Sequence, residues 1–240
     1  MNRKNCAQMH TQFTSASKND IICPFKAAAF CTGADTAAHK GAYRHLPMSL
    51  ARLTQLKNEV AACTRCGLCK TRTNAVFGEG NPRARLMFIG EGPGRDEDLL
   101  GRPFVGAAGL LLDKMMASIG FNRNTAYIAN IVKCRPPGNR DPQPDEAAAC
   151  IGYLRSQVAI IKPKIIVCLG RISARYILGT DVRITRDRGV WHDVKGFWIL
   201  PTYHPAALLR NEELKKDAWR DLLAIRAKYD EICGGDAHES

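Results

Sequence analysis

From residue 85 onward, short runs that are apolar at every position alternate with longer stretches whose apolar residues return every three or four places. Leu86-Met87-Phe88-Ile89 is the clearest run of the first kind. A strand covered on both faces has no polar side to show, so it reads as one unbroken apolar run. Residues 126–132, 164–170 and 197–202 carry similar runs. Between and after them, 107–119, 145–161, 172–178 and 211–229 have helical spacing, and Pro144 stands where a first helical turn tolerates proline. An earlier helix is marked by Leu50, Leu53, Leu56 and Val60. Such alternation predicts parallel strands with helices on both faces. The expected fold is α/β: a three-layer αβα sandwich around a central, mostly parallel four-stranded sheet.

The pattern fails at both ends. Residues 1–47 are polar, rich in Ala, Thr, Ser and Lys, and carry Cys6, Cys23 and Cys31 at no metal-like spacing. They are expected to be a disordered extension, with Met48 a candidate start for the working chain. Residues 48–229 are expected to form a single domain, and 230–240, with four acids and no Lys or Arg, a frayed tail.

Composition narrows the partners. The chain has 240 residues, 45% of them hydrophobic, enough for one sizeable core. A net charge of +12 favours a polyanion, nucleic acid before membrane. No apolar run approaches the ~20 residues of a membrane span. With no export signal, ten cysteines point to metal binding or free thiols rather than disulfides. A cytosolic monomer is expected.

Three of the strands end at unusual polar residues. Gly90-Glu91-Gly92-Pro93-Gly94 follows the first, Asn130 lies near the end of the second, and Thr202-Tyr203-His204-Pro205 closes the last. In a parallel sheet these carboxyl ends share one edge, where ligands bind. Several carboxylates follow the glycines (Glu91, Asp96, Glu97 and Asp98), too many for a phosphate cradle. The chemistry suits a pyrimidine. An Asn amide accepts from N3–H and donates to O4 of uracil, whereas cytosine presents the reverse pattern on that edge. His204 is placed to donate to a ring carbonyl where negative charge develops. Phe104 offers a stacking face, and Glu91 or Glu97 a carboxylate to orient water.

Cys63-x2-Cys66 puts two thiols on one turn, and Cys134 and Cys150 supply a second pair. Four such ligands suit zinc or an iron–sulfur cluster, and Cys69 competes for a place.

With these motifs assembled, the chain resembles the family 4 uracil-DNA glycosylases. The likeness runs from about Cys63 to Leu222 and rests on Cys63-Thr-Arg-Cys66, Val76-Phe-Gly-Glu-Gly-Asn-Pro82, Gly90 to Asp98, Gly101-Arg-Pro-Phe-Val-Gly106, Asn130-Ile-Val-Lys-Cys-Arg-Pro-Pro-Gly-Asn139 and His204-Pro-Ala-Ala-Leu-Leu-Arg210. The resemblance implies a DNA-repair enzyme that flips uracil from DNA and hydrolyses its N-glycosidic bond, leaving an abasic site. It implies a [4Fe–4S] cluster on Cys63, Cys66, Cys134 and Cys150, with Cys69 outside. It implies uracil held by Glu91, Gly92 and Pro93, stacked by Phe104, read by Asn130 and contacted by His204. Glu97 would lie near the uracil C5 edge, where thymine carries its methyl. Arg102, Arg135, Arg140 and Arg210 are the candidates for gripping phosphates. The family usually has Ala where this chain has Gly92. That departure leaves a rival reading, a protein of the same fold that binds uracil or damaged DNA without turnover.

Overall fold

A computed structural model describes residues 48–234. The expected extension 1–47 and the end of the acidic tail lie outside the described residues.

The strands are β1 (Glu79–Gly80), β2 (Leu86–Gly90), β3 (Tyr127–Asn130), β4 (Ile165–Leu169), β5 (His192–Val194) and β6 (Phe197–Thr202). Among the described residues they form one six-stranded sheet, ordered β1-β3-β2-β4-β6-β5. The inner four, β3, β2, β4 and β6, are parallel and are the four expected from their apolar runs. The two edges are antiparallel additions, so six strands replace the expected four. At two and three residues, the edge strands are too short to write a period into the sequence.

The helices are α1 (Met48–Ala61), α2 (Arg95–Leu100), α3 (Ala107–Ser118), α4 (Pro144–Ile161), α5 (Gly170–Leu178), α6 (Ile184–Asp187), α7 (Pro205–Arg210) and α8 (Leu214–Cys233). The pleat divides the core. Met87, Ile89, Ile166 and Cys168 face α1, α4 and α5, packing with Leu53, Leu154 and Ala174. Leu86, Phe88, Ile165 and Val167 face α3 and α8, packing with Leu112, Met116, Leu222 and Ile225. Both faces of β2 and β4 are fully buried, which is why neither strand carries a polar side chain.

Two helix expectations change. The helix expected over 211–229 begins at Leu214 and runs on to Cys233, which is buried, so residues 230–233, expected in the tail, belong to the helix. The stretch 95–100, read only as an acidic cluster, is the helix α2, with Asp96, Glu97 and Asp98 in its first turn. Carboxylates there face unpaired amides and the positive end of the helix dipole.

Candidate active site

The carboxyl ends of β2, β3, β4 and β6 open into one cleft of about 670 Å³. Glu91, Gly92, Pro93, Glu97, Phe104, Asn130 and His204 all line it. The pyrimidine site expected from separate motifs is thus brought together.

Gly90, the last residue of β2, packs against two of these lining side chains. A methyl at this position would lie 2.4 Å from Asn130 Oδ1 and 2.6 Å from the Phe104 ring. The amide and the ring therefore converge over bare backbone. Asn130 is 2% exposed, and its Oδ1 has no hydrogen-bond partner. A buried, unpaired acceptor costs ~1–3 kcal/mol, and a ligand N–H would relieve it. The backbone beneath is fixed: Ile131 N–H donates to Gly90 O and Val132 N–H to Glu91 O.

Phe104 is held in the left-handed region, φ 53°. Two groups secure it. Arg123 donates to the carbonyls of Pro103 and Phe104 while pairing with Asp113. Glu97 accepts from Val105 N–H (2.9 Å) and Gly106 N–H (3.0 Å) through one oxygen, and from Gly94 N–H (3.1 Å) through the other. Glu97 thus closes the first turn of α2 and clamps the Phe104 loop to it. The adjacent Asp98, 4% exposed, accepts from Thr73 and Asn74 amides on the opposite side.

His204 stands at the N-terminus of α7. Its Nδ1 accepts from Ala206 N–H at 3.1 Å, so in the neutral ring the proton resides on Nε2. Its ring lies 5.5 Å from that of Phe104, tilted by 31°. Burial, then Arg210, pulls its pKa down to about 4 against the opposing pull of Glu97. The strand that delivers it is anchored: Thr202 donates to buried Asp221, which also pairs with Arg188.

Glu91 is half-buried, and burial pushes its carboxyl up to about 7, with Asp141 adding to the rise and Arg171 opposing it. Asp141 and Arg171 pair at 2.6 Å and line the same cleft. Sequence reasoning missed both, although Arg171 stands two residues beyond the carboxyl end of β4, and that strand's end invited the same scrutiny as the others.

The four arginines expected at the DNA backbone divide. Arg140 and Arg210 line the cleft; Arg102 and Arg135 are not among its lining residues. Pairing does not separate them: Arg102 is paired with Glu79, Arg135 with Asn139 and Arg140 with Glu146. Arg95 and Arg171 line the cleft in their place.

Gly92 lines the cleft, but a methyl there would lie 2.7 Å from Val132 Cγ2. The missing methyl is thus a matter of packing beneath the loop.

The cysteines gather elsewhere. Cys63, Cys66, Cys69, Cys134 and Cys150 line one small pocket with Arg65, Arg72, Lys133 and Tyr153. Arg72 donates to Cys134 Sγ at 3.1 Å, and Lys133 N–H to Cys150 Sγ at 3.2 Å. Burial pushes the Cys150 thiol up to about 11, with Lys133 opposing. Five thiols ringed by cations and N–H donors are the surroundings of an anionic thiolate centre. Among the described residues no group of three His, Cys, Asp or Glu side chains is placed to hold a single metal ion. Cys168, fully buried in β4, takes no part.

The family model for the uracil DNA glycosylase superfamily matches residues 77–223. A type-4 uracil-DNA glycosylase of Sulfurisphaera tokodaii is 51% identical over 183 residues, covering 72% of this chain and 83% of its own length. One from Archaeoglobus fulgidus is 45% identical, covering 76% and 94% respectively. One from Thermotoga maritima is 46% identical, covering 70% and 89%.

Proposed function

The chain belongs to the type-4 uracil-DNA glycosylases, and we propose that its sheet-edge cleft binds an everted uracil and hydrolyses its N-glycosidic bond. Its substrate is uracil-containing DNA; its products are free uracil and an abasic site. The observation that carries the site assignment is the buried, partnerless Oδ1 of Asn130 at the foot of the cleft.

Arg95, Arg140, Arg171 and Arg210 at the cleft hold phosphates around the lesion. Unstacking the target costs a few kcal/mol, and stacking on Phe104 returns ~1–3 kcal/mol. Asn130 Oδ1 accepts from uracil N3–H while its amide donates to O4. As the bond to C1′ breaks, the sugar becomes cationic and the leaving uracil anionic. His204, neutral at working pH, donates Nε2–H to the anion. Glu91 orients a water for C1′ and takes its proton, a task suited to a carboxyl near 7. Gly92 and Pro93 form the wall beside the base. Glu97, with its oxygens spent on backbone amides, positions Phe104 and takes no part in the chemistry. The thymine methyl is then excluded by the loop Glu97 holds.

Cys63, Cys66, Cys134 and Cys150 suit a [4Fe–4S] cluster, with Cys69 beside it. When bound, the cluster supplies a four-thiolate cross-link; hydrolysis of this bond calls for no electron transfer. Residues 48–233 form the glycosylase domain on this reading, acting as a monomer. No described helix is long and apolar enough to cross a membrane.

Asn130→Ala tests the assignment. Single-turnover cleavage of a uracil oligonucleotide should slow by at least ~100-fold, near 3 kcal/mol, while undamaged duplex binds as before. An unchanged rate would remove Asn130 from the site.

A further inference from the structure

Lys133 is 1% exposed, one of the largest fully buried side chains of the fold. Lysine is almost never buried without partners, because desolvating its ammonium costs several kcal/mol. Its Nζ donates to the Asn130 carbonyl at 2.9 Å and to Gln157 Oε1 at 2.6 Å. Gln157 is itself fixed, donating through Nε2 to Phe77 O at 2.9 Å and to the Tyr127 hydroxyl at 3.2 Å. The backbone N–H of Lys133 donates to Cys150 Sγ, and the next residue is Cys134. One residue therefore grips the base-reading strand end with its side chain and the thiol pocket with its main chain.

An apolar side chain of similar length would fill this space without the desolvation cost. What lysine adds is a donor aimed at one carbonyl, that of the residue whose Oδ1 awaits the base. Resting on the uracil reading above, we propose that Lys133 is a positioning residue for base recognition. It sets the rotation of the Asn130 peptide, and so the aim of Asn130 Oδ1, and ties that aim to the thiol centre. A buried network in which Nζ and both ends of the Gln157 amide are engaged favours one arrangement.

The test uses the full-length, iron-loaded chain and its Lys133→Met variant. Four quantities are compared: iron per chain with the visible spectrum, affinity for undamaged duplex, inhibition by free uracil, and single-turnover cleavage. The variant should keep its iron and hold duplex within two-fold of the parent. Its inhibition constant for uracil should rise at least ten-fold, and its cleavage rate should fall by a similar factor. Should Lys133→Met fail to fold, Gln157→Leu removes one partner of Nζ and should move both quantities the same way by a smaller factor. Uracil inhibition within two-fold of the parent, in whichever variant folds, overturns the assignment. Iron lost in step with uracil affinity also overturns it, since Lys133 would then only prop the thiols. If the parent chain releases no uracil, the glycosylase reading fails and this one with it.

Discussion

Glu91 and His204 are shifted in opposite directions by the same cause, burial at the mouth of the sheet. Glu91 rises from an ordinary 4.5 to about 7, so its protonated form favours the folded state. That contribution is full below 4.5 and is lost as pH rises through 7. His204 falls from 6.5 to about 4, so its neutral form favours the fold. That contribution is full above 6.5 and is lost as pH falls through 4. Between 4.5 and 6.5 the two slopes oppose each other, so stability stays flatter with pH than activity does. Single-turnover rate should rise with pH through an apparent pKa near 7, with no further limb from His204 down to about 5. Asp141→Asn removes a like charge beside Glu91 and should move this limb to lower pH; a limb unmoved in a pH–rate profile would show that Asp141 does not act on it. At this scale the sequence was legible where a polar residue interrupted an apolar strand end, as Asn130 and His204 do. Glu97 was not legible, because its duty depends on amides of a loop eight and nine residues away. Gly92 was legible only as a departure from the family pattern: the packed loop is needed to show that a methyl there would meet Val132.

Among the elements, the six-residue α2 has consequences beyond its length. Asp98 fastens it to the segment following the first cysteines, and Glu97 fastens it to the Phe104 loop. Arg123, at the start of the segment leading to β3, holds the same loop from the other side. A non-glycine residue in the left-handed region costs ~1–3 kcal/mol and persists only when its surroundings impose it. Arg123→Ala should let Phe104 relax, weakening inhibition by free uracil about ten-fold at ~1.4 kcal/mol, while undamaged duplex binds normally. Equal inhibition in the two proteins would show that the loop holds itself. The four inner strands were readable because burial on both faces leaves only apolar residues. The helix α2 was hidden because it is short and its first turn is acidic, which in sequence resembles a polar loop. The helix α7 was hidden too: the spacing marks a helix only from 211 onward, and Asn211, extended at φ −138°, separates the six-residue α7 from α8.

For the whole molecule, a net charge of +12 and an arginine-lined cleft imply a strong electrostatic share of DNA binding. Duplex affinity should fall with salt at a log–log slope of about −0.9 per phosphate engaged. Arg210→Ala should reduce that slope by about 1, whereas Arg102→Ala, at a residue outside the cleft lining, should leave it unchanged. Equal slopes for the two variants would contradict the division of the arginines drawn from the cleft. Charge and class were legible from composition, but which arginines face the cleft required the fold. The two short antiparallel flanks, β1 and β5, have a further effect. A long bare outer strand would invite another chain to zip alongside it. Here each side of the ribbon closes after two or three residues, in β1 with Glu79 already engaged by Arg102, so crowded or partly heated protein finds little to add to.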